Sequence, residues 1–487
     1  NRAGIGLNFG EIRGVGSKIR NGEVVHTGVI PFLKMFESTT KSCTQNGVRG
    51  GSSTTHFPFW HKEIEDILVL KNNRGTDDNR VRKMDYSIQF CRLFYRRFVE
   101  DQSITLFSPH EVPDLFEAFG YDNDKFEELY EQYERSRTIY KKKIKARALF
   151  NHFCKERIET GRMYVMNLDH CNDHSSFNDK IKMSNLCQEI TLPTTPLDHI
   201  DDNDETDSEI ALCVLSAINV GDVTLKEIPD VCMNIVRSLD AVIEHQFYPV
   251  KASMKMLKRR SIGVGITNLA YYIAKNGLTY DDPKTCNLVD ELMEHIQFYM
   301  IKASVKLAKE KGKCEWFDRT KYSKGVLPID TYCKSVDKIV TRKLKLPWEK
   351  LRKEVKDHGM RNSTLTALMP CESSSLVTNS TNGIEPPRGL LSIKKSKQGL
   401  IPQVVPDIYN LRTKYTLAYE MKDNAGYTNI VSVIQKYVDQ AISANHYYNF
   451  AKYESGNLPM SEVARDLLYA YKMGVKTLYY ANTDDGK

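Results

Sequence analysis

The apolar segment Ile210-Ala211-Leu212-Cys213-Val214-Leu215 is typical of a buried β-strand. Two further extended segments are predicted upstream of it, at Met163–Leu168 and Leu186–Leu192. Apolar residues at helical spacing lie on either side, over Phe126–Phe150 and through residues 221–320. Strands that alternate with helices in this way predict an α/β fold with a parallel sheet or a barrel.

The 487 residues divide into regions by their local pattern. Residues 1–55 are rich in glycine and are predicted to form loops between short strands. Residues 56–150 are predicted to be mostly helical. Residues 151–487 are predicted to hold the core strands, further helices and a short strand at Lys476–Tyr480. The acidic run Asp201–Glu209 is interpreted as a solvated surface loop.

Composition excludes several classes of protein. The net charge of +7 is mild for this length, and no run of five Lys or Arg suggests a nucleic-acid partner. No stretch of about 18 apolar residues predicts a membrane span, and the first residues do not resemble a secretory signal. The 11 cysteines are an odd, scattered set, which predicts reduced thiols in a cytoplasm and not a secreted disulfide framework.

The segment Ser184–Glu189 contains the strongest local pattern for chemistry. Asn185, Cys187 and Glu189 lie two residues apart, so an extended backbone would place all three side chains on one face. A thiol can act as a nucleophile or hydrogen-atom donor, a carboxylate as a general base, and an amide can orient a ligand. A buried structural cysteine beside polar strand residues is the competing interpretation.

Cys213 has two possible roles. Its apolar neighbours favour a structural cysteine in a core strand. If it lay close to Cys187, the two thiols would form a redox site.

The segment Met369–Ser375 is rich in small hydroxyl residues and follows an apolar strand. If it opens a helix, its N–H groups and hydroxyls would suit a phosphate. An ordinary helix-capping turn is the alternative.

Two other patterns are weaker. His170, Cys171 and His174 have spacing that could bind a metal, but no second pair is placed to complete a tetrahedral site, so no metal is expected. Tyr479 and Tyr480 are adjacent, which usually reflects packing, and a stacked redox relay is the functional alternative.

Eight segments in the order found here resemble one family, the large catalytic subunit of class I ribonucleotide reductase, along nearly the whole chain. They are Arg2–Ser17, Phe32–Thr55, Leu68–Gly75, Met183–Thr194, Glu209–Asp222, His358–Ser375, Thr381–Gly389 and Tyr471–Tyr480. The resemblance implies a ten-stranded α/β barrel with an inner finger loop. It implies the reduction of ribonucleoside diphosphates to deoxyribonucleoside diphosphates by a thiyl-radical mechanism.

The resemblance also implies catalytic roles for individual residues. Cys187 is similar to the thiyl-radical cysteine that abstracts the 3′ hydrogen, and Glu189 to the carboxylate that takes the 3′-hydroxyl proton. Asn185 would hydrogen-bond the sugar hydroxyls. Cys213 is similar to one of two cysteines that supply reducing equivalents and become a disulfide. Tyr479 and Tyr480 resemble the relay that carries the radical from the small subunit.

Ligand contacts follow in the same way. Cys371, Glu372, Ser373 and Ser374 resemble the turn that binds the substrate diphosphate. Arg13 resembles a residue of the loop that contacts a deoxynucleotide or ATP effector at a homodimer interface. Gln45 and Arg49 resemble the loop between effector and substrate. The implied partners are a metal-containing small subunit that supplies the radical and an external reductant, thioredoxin or glutaredoxin, with no covalently bound cofactor.

The chain departs from the family pattern in three places. The family's second redox cysteine and first barrel strand would lie upstream of Asn1, which predicts a barrel incomplete at its N-terminal strand. The C-terminal cysteine pair of the family is not found, and position 371 is Cys where the related turn usually has Ser. A split catalytic subunit, completed by an upstream polypeptide, is one interpretation. A longer chain of which this is a part is the other.

Two further functions compete with the reductase. One is a non-catalytic nucleotide-binding scaffold in a reductase complex. The other is a cysteine hydrolase that would use Cys187 with His170 or His174.

Overall fold

The computed structural model describes residues 4–45, 49–197, 208–396 and 399–484. The strands are β1 Ile5–Asn8, β2 Lys18–Ile19, β3 Val24–Val25, β4 Thr44–Gln45, β5 Arg49–Gly50, β6 Ser53–Pro58, β7 Asp85–Phe90, β8 Ser103–Leu106, β9 Lys142–Lys145, β10 Met163–Asn167, β11 Val214–Asn219, β12 Ile262–Thr267, β13 Leu391–Ser396, β14 Gly399–Val404, β15 His446–Asn449, β16 Thr477–Leu478 and β17 Ala481–Asp484.

The α-helices are α1 Ile30–Ser42, α2 Ile64–Leu68, α3 Arg92–Val99, α4 Pro113–Ala118, α5 Asn123–Arg135, α6 Ala146–Thr160, α7 Leu168–Asp173, α8 Ile228–His245, α9 Lys251–Met254, α10 Met256–Arg259, α11 Leu269–Lys275, α12 Pro283–Lys311, α13 Pro328–Thr331, α14 Trp348–His358, α15 Glu372–Val377, α16 Ile408–Leu411, α17 Ala425–Gln435 and α18 Met460–Lys472. In the part of the chain that the structure describes, none of them is both long and apolar enough to cross a membrane.

A five-stranded sheet forms the first half of the core, in the order β1-β6-β7-β10-β16. The first four strands run parallel, and β16 is antiparallel to β10. Every residue of β6, β7 and β10 is buried. Parallel strands joined by helical crossovers are covered on both faces, which explains why these strands are buried throughout.

A second parallel group begins with β11 and β12. Val264 of β12 forms a parallel bridge with Thr366, and Leu368 forms one with Ile442. The Leu368 N–H donates to the Ala441 carbonyl at 3.1 Å, a normal length for a backbone hydrogen bond. This bond extends the same ladder. The second group therefore comprises β11, β12 and two short extended segments.

The C-terminal segment joins the two groups. β16 pairs with β10, while β17 pairs in parallel with β15. Between them, the Tyr479 N–H donates to the Ala444 carbonyl at 2.7 Å, and the His446 N–H donates to the Tyr480 carbonyl at 3.0 Å. The tyrosine pair thus lies at the seam between the two groups.

Helix α12 shows how sequence fixes an element in this core. The Asp282 side chain caps its first turn by accepting from the Lys284 N–H at 2.8 Å, and Pro283 occupies the first position. Lys309 and Lys311 lie in its last turn, where positive charge is favourable. It packs beside α8, whose Cys232 thiol donates to the Ile296 carbonyl.

The α/β prediction is confirmed, and several local predictions need correction. The apolar run before residue 215 is not a buried strand. β11 begins at Val214, after Cys213, and Leu215 is 40% exposed. Residues 56–150 contain five helices, but three strands interrupt them. α1 lies in a region predicted to be loops and short strands. Residues 201–207 of the acidic run lie outside the described residues.

Candidate active site

The loop Ser184–Ile190 lies against the first sheet. The Thr54 hydroxyl of β6 donates to the Leu186 carbonyl at 2.8 Å, and the Ser184 N–H donates to the His56 ring at 3.2 Å. The Ser87 hydroxyl of β7 donates to the Gln188 side chain at 2.7 Å. A Cβ on Gly6 of β1 would lie 1.9 Å from the Ser184 carbonyl oxygen, so the loop can approach only because glycine occupies this position.

The second group of strands holds the same loop from the other side. The Ala441 N–H donates to the Glu189 carbonyl at 2.9 Å. The Ser443 hydroxyl lies 2.7 Å from the Cys187 carbonyl oxygen and 3.1 Å from a Glu189 carboxylate oxygen. The loop is therefore fixed between the two groups by contacts with both.

The backbone of this loop differs from the predicted extended strand. Residues 186 and 187 form a turn, and Gln188 has a positive φ of 74°. The argument that alternation places three side chains on one face was wrong for this reason, because alternation applies only to extended backbone. The turn nevertheless brings the Asn185 amide into hydrogen-bonding contact with the Glu189 carboxylate.

Glu189 is a buried carboxylate, 2% exposed. Burial raises the pKa of Glu189 to about 6, and hydrogen bonds from Asn185 and Ser443 partly oppose that rise. The group is therefore ionised at neutral pH and close enough to its pKa to accept a proton readily.

Cys187 is half-buried, and burial followed by the neighbouring Glu189 charge raises the pKa of its thiol to about 12. A nucleophilic cysteine needs a lowered pKa, whereas a hydrogen-atom donor must keep its proton. Cys187 is therefore a thiol at neutral pH, which disfavours the hydrolase interpretation.

The two tyrosines continue from Cys187 as a line of contacts. Tyr479 hydrogen-bonds with Cys187, and its hydroxyl lies 2.7 Å from that of Tyr480. The two rings are 3.8 Å apart between centroids. A phenol has one hydrogen, so a Tyr479 that donates to Tyr480 accepts from the Cys187 thiol. Tyr479 is 4% exposed, whereas Tyr480 is half-buried and nearer the surface.

Cys213 lies at the base of the second group. The Gln440 amide donates to its sulfur at 3.6 Å, and Glu189 is near enough to contribute to the raised pKa of Cys213, of which burial is the main cause. A Cβ on Gly263 would lie 3.0 Å from the sulfur. None of the 11 cysteines, Cys213 included, is paired with another in a disulfide.

The segment after Met369 does open a helix, α15. Glu372, Ser373 and Ser374 are exposed at its first turn. Cys371 differs from them, because its sulfur is buried within 3.9 Å of the Ile266 carbonyl and its N–H donates to the Asn382 side chain at 2.8 Å. The exposed side chains are accessible to a ligand, while the Cys371 side chain faces the core.

Arg13 lies in the loop after β1, half-exposed, and donates to the Lys18 carbonyl at 3.2 Å. Its charge, with that of Lys62, lowers the pKa of His110 after the larger effect of burial. These basic groups share one surface. Gln45 ends β4 and Arg49 begins β5, and their side chains lie outside the described residues.

The three residues with metal-like spacing do not converge. The His170 ring stacks on Tyr471 at 4.3 Å, and the Cys171 thiol donates to the Lys476 carbonyl. His174 lies between the Thr331 hydroxyl and the Gln435 carbonyl. The described ranges contain no group of three or more His, Cys, Asp or Glu that could hold a metal ion.

Comparisons with known proteins identify the family of this chain. A family model described as the ribonucleotide reductase barrel domain matches residues 1–481. The chain belongs to this family. It is 53% identical over 490 residues to the ribonucleoside-diphosphate reductase subunit alpha of Haemophilus influenzae. It is 51% identical over 489 residues to the ribonucleoside-diphosphate reductase 1 subunit alpha of Escherichia coli. It is 47% identical over 494 residues to the subunit alpha of Enterobacteria phage T4. All of this chain is covered, but it spans 64% of the length of each relative.

Sequence reasoning missed several residues of this reductase barrel domain. Ser443 and Gln440 contact the loop and Cys213 from about 250 positions away, and no local pattern marks them. Tyr164 of β10 packs its ring 4.7 Å from that of Tyr479 and donates to Asp85 at 3.0 Å. The sequence offered one signal for Tyr164, which is its place in the extended segment Met163–Leu168 that follows Arg162.

Proposed function

We propose that this chain is the catalytic part of a ribonucleotide reductase large subunit, which converts ribonucleoside diphosphates to deoxyribonucleoside diphosphates by a thiyl-radical mechanism. The observation that carries the proposal is the line of contacts from Tyr480 through Tyr479 to Cys187, which ends beside Glu189. A hydrolase needs no such line. A radical enzyme needs a path for electrons and protons that ends at a protonated thiol.

In the forward direction of the relay, hydrogen atoms move from Cys187 towards Tyr480. When Tyr480 has become a phenoxyl radical, it takes the hydrogen atom of the Tyr479 hydroxyl, 2.7 Å away. The Tyr479 radical then takes the hydrogen atom of the Cys187 thiol. Each step restores one phenol and oxidises the next group, and Cys187 ends as a thiyl radical. The initial oxidant would come from a metal-containing small subunit.

Substrate reduction then uses the groups around Cys187. The thiyl radical abstracts the 3′ hydrogen atom, Glu189 accepts the 3′-hydroxyl proton, and the 2′ hydroxyl takes a proton and leaves as water. Cys213 and a second thiol supply two electrons and two protons as they become a disulfide. One proton leaves with the 2′ hydroxyl as water, the other becomes the new hydrogen at the 2′ carbon, and Glu189 returns its proton to the 3′ oxygen. Cys187 returns its hydrogen atom to the 3′ carbon and becomes a thiyl radical again, and the relay then runs in reverse, so that a hydrogen atom from Tyr479 reduces Cys187 to the thiol. Asn185 orients Glu189 and the sugar hydroxyls.

The substrate diphosphate is assigned to the first turn of α15. Glu372, Ser373 and Ser374 are exposed there, and the N–H groups of a helix start favour an anion. The Cys371 side chain is left out of this contact, because its sulfur faces the core.

Allosteric control is assigned to the loops before β6. Arg13 and Lys62, whose charges both act on His110, provide a positive surface that suits the phosphates of a deoxynucleotide or ATP. Gln45 and Arg49 lie in the strands that lead to β6, whose Thr54 touches the Cys187 loop. Exposed apolar side chains on α1, Phe32 and Met35, favour a homodimer contact at this face.

The two groups of strands are assigned to one ten-stranded barrel that surrounds the loop Ser184–Ile190 as an inner finger. Contacts from β6 and from Ser443 on opposite sides of the loop support this architecture. The second redox thiol is assigned to a part of the large subunit outside the matched stretch, which an upstream polypeptide or segment would supply. Thioredoxin or glutaredoxin would reduce the disulfide, and the free cysteines suit a cytoplasm.

A reconstitution assay tests the function. The purified chain would be mixed with a cognate small subunit, a ribonucleoside diphosphate, an effector and dithiothreitol, with and without the upstream polypeptide. Deoxyribonucleoside diphosphate is expected in the complete mixture and not without the upstream part. A folded, complete mixture that forms no product would contradict the reductase and favour the scaffold.

The pH dependence of turnover should identify Glu189 as the base. Because its pKa is about 6, the rate should fall as pH drops below about 6 and Glu189 becomes protonated. Glu189→Gln should lower kcat by about 10²- to 10⁴-fold and remove this acidic limb. Because the pKa of Glu189 is raised in the folded state, ionisation of this carboxylate at high pH destabilises that state. Glu189→Gln removes this effect, so the variant should be more stable than the unsubstituted protein at pH 8, by about 2 kcal/mol.

Glu385 provides the matched control for this experiment. It is half-buried, burial raises its pKa to about 7, and its carboxylate accepts a hydrogen bond from the Asn445 amide. Glu385→Gln should retain an acidic limb near pH 6. An unchanged limb in Glu189→Gln would show that another group is the base.

A further inference from the structure

Arg157 is a buried cation that has no carboxylate partner among the described residues. It lies in the last turn of α6 and is 0% exposed. The other buried arginines in the described ranges each bind a carboxylate: Arg97 binds Glu134, Arg259 binds Glu209, and Arg260 binds Asp240. Burial of a charge is costly unless it is paired, so an arginine retained without an acid needs another explanation.

The guanidinium of Arg157 binds backbone carbonyls of the tyrosine pair. It donates to the Tyr479 carbonyl at 2.8 Å and to the Tyr480 carbonyl at 3.3 Å. It also donates to the carbonyl of Met163, whose neighbour Tyr164 packs on the Tyr479 ring. One planar group thus fixes the backbone of both relay tyrosines relative to β10.

The groups around Arg157 give no other explanation for its burial. Its remaining nitrogen, Nε, has no hydrogen-bond partner, and the nearby His446 ring has none at either nitrogen. Burial lowers the pKa of Arg157 to about 10, which leaves it charged at neutral pH. Its Nη1 and Nη2 atoms therefore provide all of its hydrogen bonds, which go to the three carbonyls.

We propose that Arg157 is a positioning residue for the relay, which holds Tyr479 and Tyr480 in the register that lets the Tyr479 hydroxyl reach both Cys187 and Tyr480. This inference rests on the proposed function for its effect on turnover, but the register itself does not. A hydrogen-atom transfer between phenols depends steeply on oxygen–oxygen distance, and the separation here is 2.7 Å. Loss of the two Arg157 contacts leaves this segment held by the backbone hydrogen bonds of Tyr479 with Ala444 and of His446 with Tyr480, and loosens the position that sets this distance.

The test uses two variants in the holoenzyme, assembled from the complete large subunit and its radical-generating partner. Arg157→Met removes the charge and all donors at similar length. Arg157→Lys keeps the charge but cannot bridge two carbonyls with a planar fork. Arg97→Met is the control, because Arg97 is also buried and donates three hydrogen bonds, two to Glu134 and one to the Ser103 carbonyl, but none to either tyrosine.

Two measurements separate register from function. With fluorotyrosine at position 479, the ¹⁹F NMR spectrum should change from one signal to several, or shift, in both Arg157 variants and remain unchanged in Arg97→Met. Turnover should fall about 10²-fold in Arg157→Met with unchanged KM, as a misplacement of about 1 Å predicts.

The outcomes are distinguishable. An unchanged spectrum together with full turnover in Arg157→Met would overturn the inference. If Arg157→Met does not fold, Arg157→Lys decides by the same spectrum. A changed spectrum in a protein whose unsubstituted form shows no reductase activity would keep the positioning role and overturn the proposed function instead.

Discussion

Serine in place of Cys187 is expected to abolish nucleotide reduction in the assembled enzyme, with a fall of at least about 10⁴-fold in kcat. A serine hydroxyl has a much stronger O–H bond than the thiol S–H bond, so a Tyr479 radical cannot take its hydrogen atom. The loop should remain in place, because its contacts with Ser443 and Thr54 use the Cys187 and Leu186 carbonyls and not the thiol. Product formation by chromatography, and substrate binding by calorimetry, measure the two effects separately.

Cys333→Ser is the matched control for this substitution. Cys333 is half-buried like Cys187, and its thiol donates to the Lys472 carbonyl away from the loop. It should retain nearly full turnover. Measurable reduction by Cys187→Ser would remove the thiyl radical from the mechanism, and loss of substrate binding in that variant would indicate a structural cysteine.

Phenylalanine at position 479 is expected to stop turnover by more than about 10³-fold, a rise in the barrier of about 4 kcal/mol or more. The ring and its packing on Tyr164 and Tyr480 would be kept, but the hydroxyl that bridges Cys187 and Tyr480 would be lost. Without that oxygen, the oxidising equivalent has no group at which to lose and regain a proton. Stability should change little, because the lost hydrogen bonds are few.

Tyr471→Phe tests whether loss of any buried phenol has the same effect. Tyr471 also donates a hydrogen bond, to Asp169 at 2.7 Å, and lies in the same C-terminal region. Its variant should turn over at close to the normal rate. Electron paramagnetic resonance on Tyr479→Phe should find the radical retained on the small subunit or Tyr480. Rapid formation of a thiyl radical would rule out Tyr479 as an obligatory step.

The residues of the candidate site could be selected from the sequence because they lie in contiguous motifs. Asn185, Cys187 and Glu189 occupy one short loop, and Tyr479 and Tyr480 are neighbours. The spacing argument for the loop failed because Gln188 adopts a positive φ, and the turn, not strand alternation, brings the amide to the carboxylate. Strand and turn cannot be separated by spacing over six residues.

The supporting residues were not predictable from local pattern. Ser443, Gln440 and Arg157 act through contacts 227 to 322 positions apart in the chain. Such pairs are set by the packing of the two strand groups, which periodicity does not encode. The half-exposed state of β11 was missed for the same reason, because an apolar run reports hydrophobicity and not the neighbours that cover it.

The position of Tyr479 and Tyr480 in the chain has a consequence for the order of folding during synthesis. The Asn167 amide of β10 donates to the Val475 carbonyl across 308 positions, so this contact can form only after residue 475 has left the ribosome. Contacts of such long range form slowly, since a large loop must close first. During synthesis, β1, β6, β7 and β10 can therefore pair before the segment that contains Tyr479 and Tyr480 is available. In the proposed relay, Cys187 therefore gains its contact with Tyr479 only when this late pairing forms.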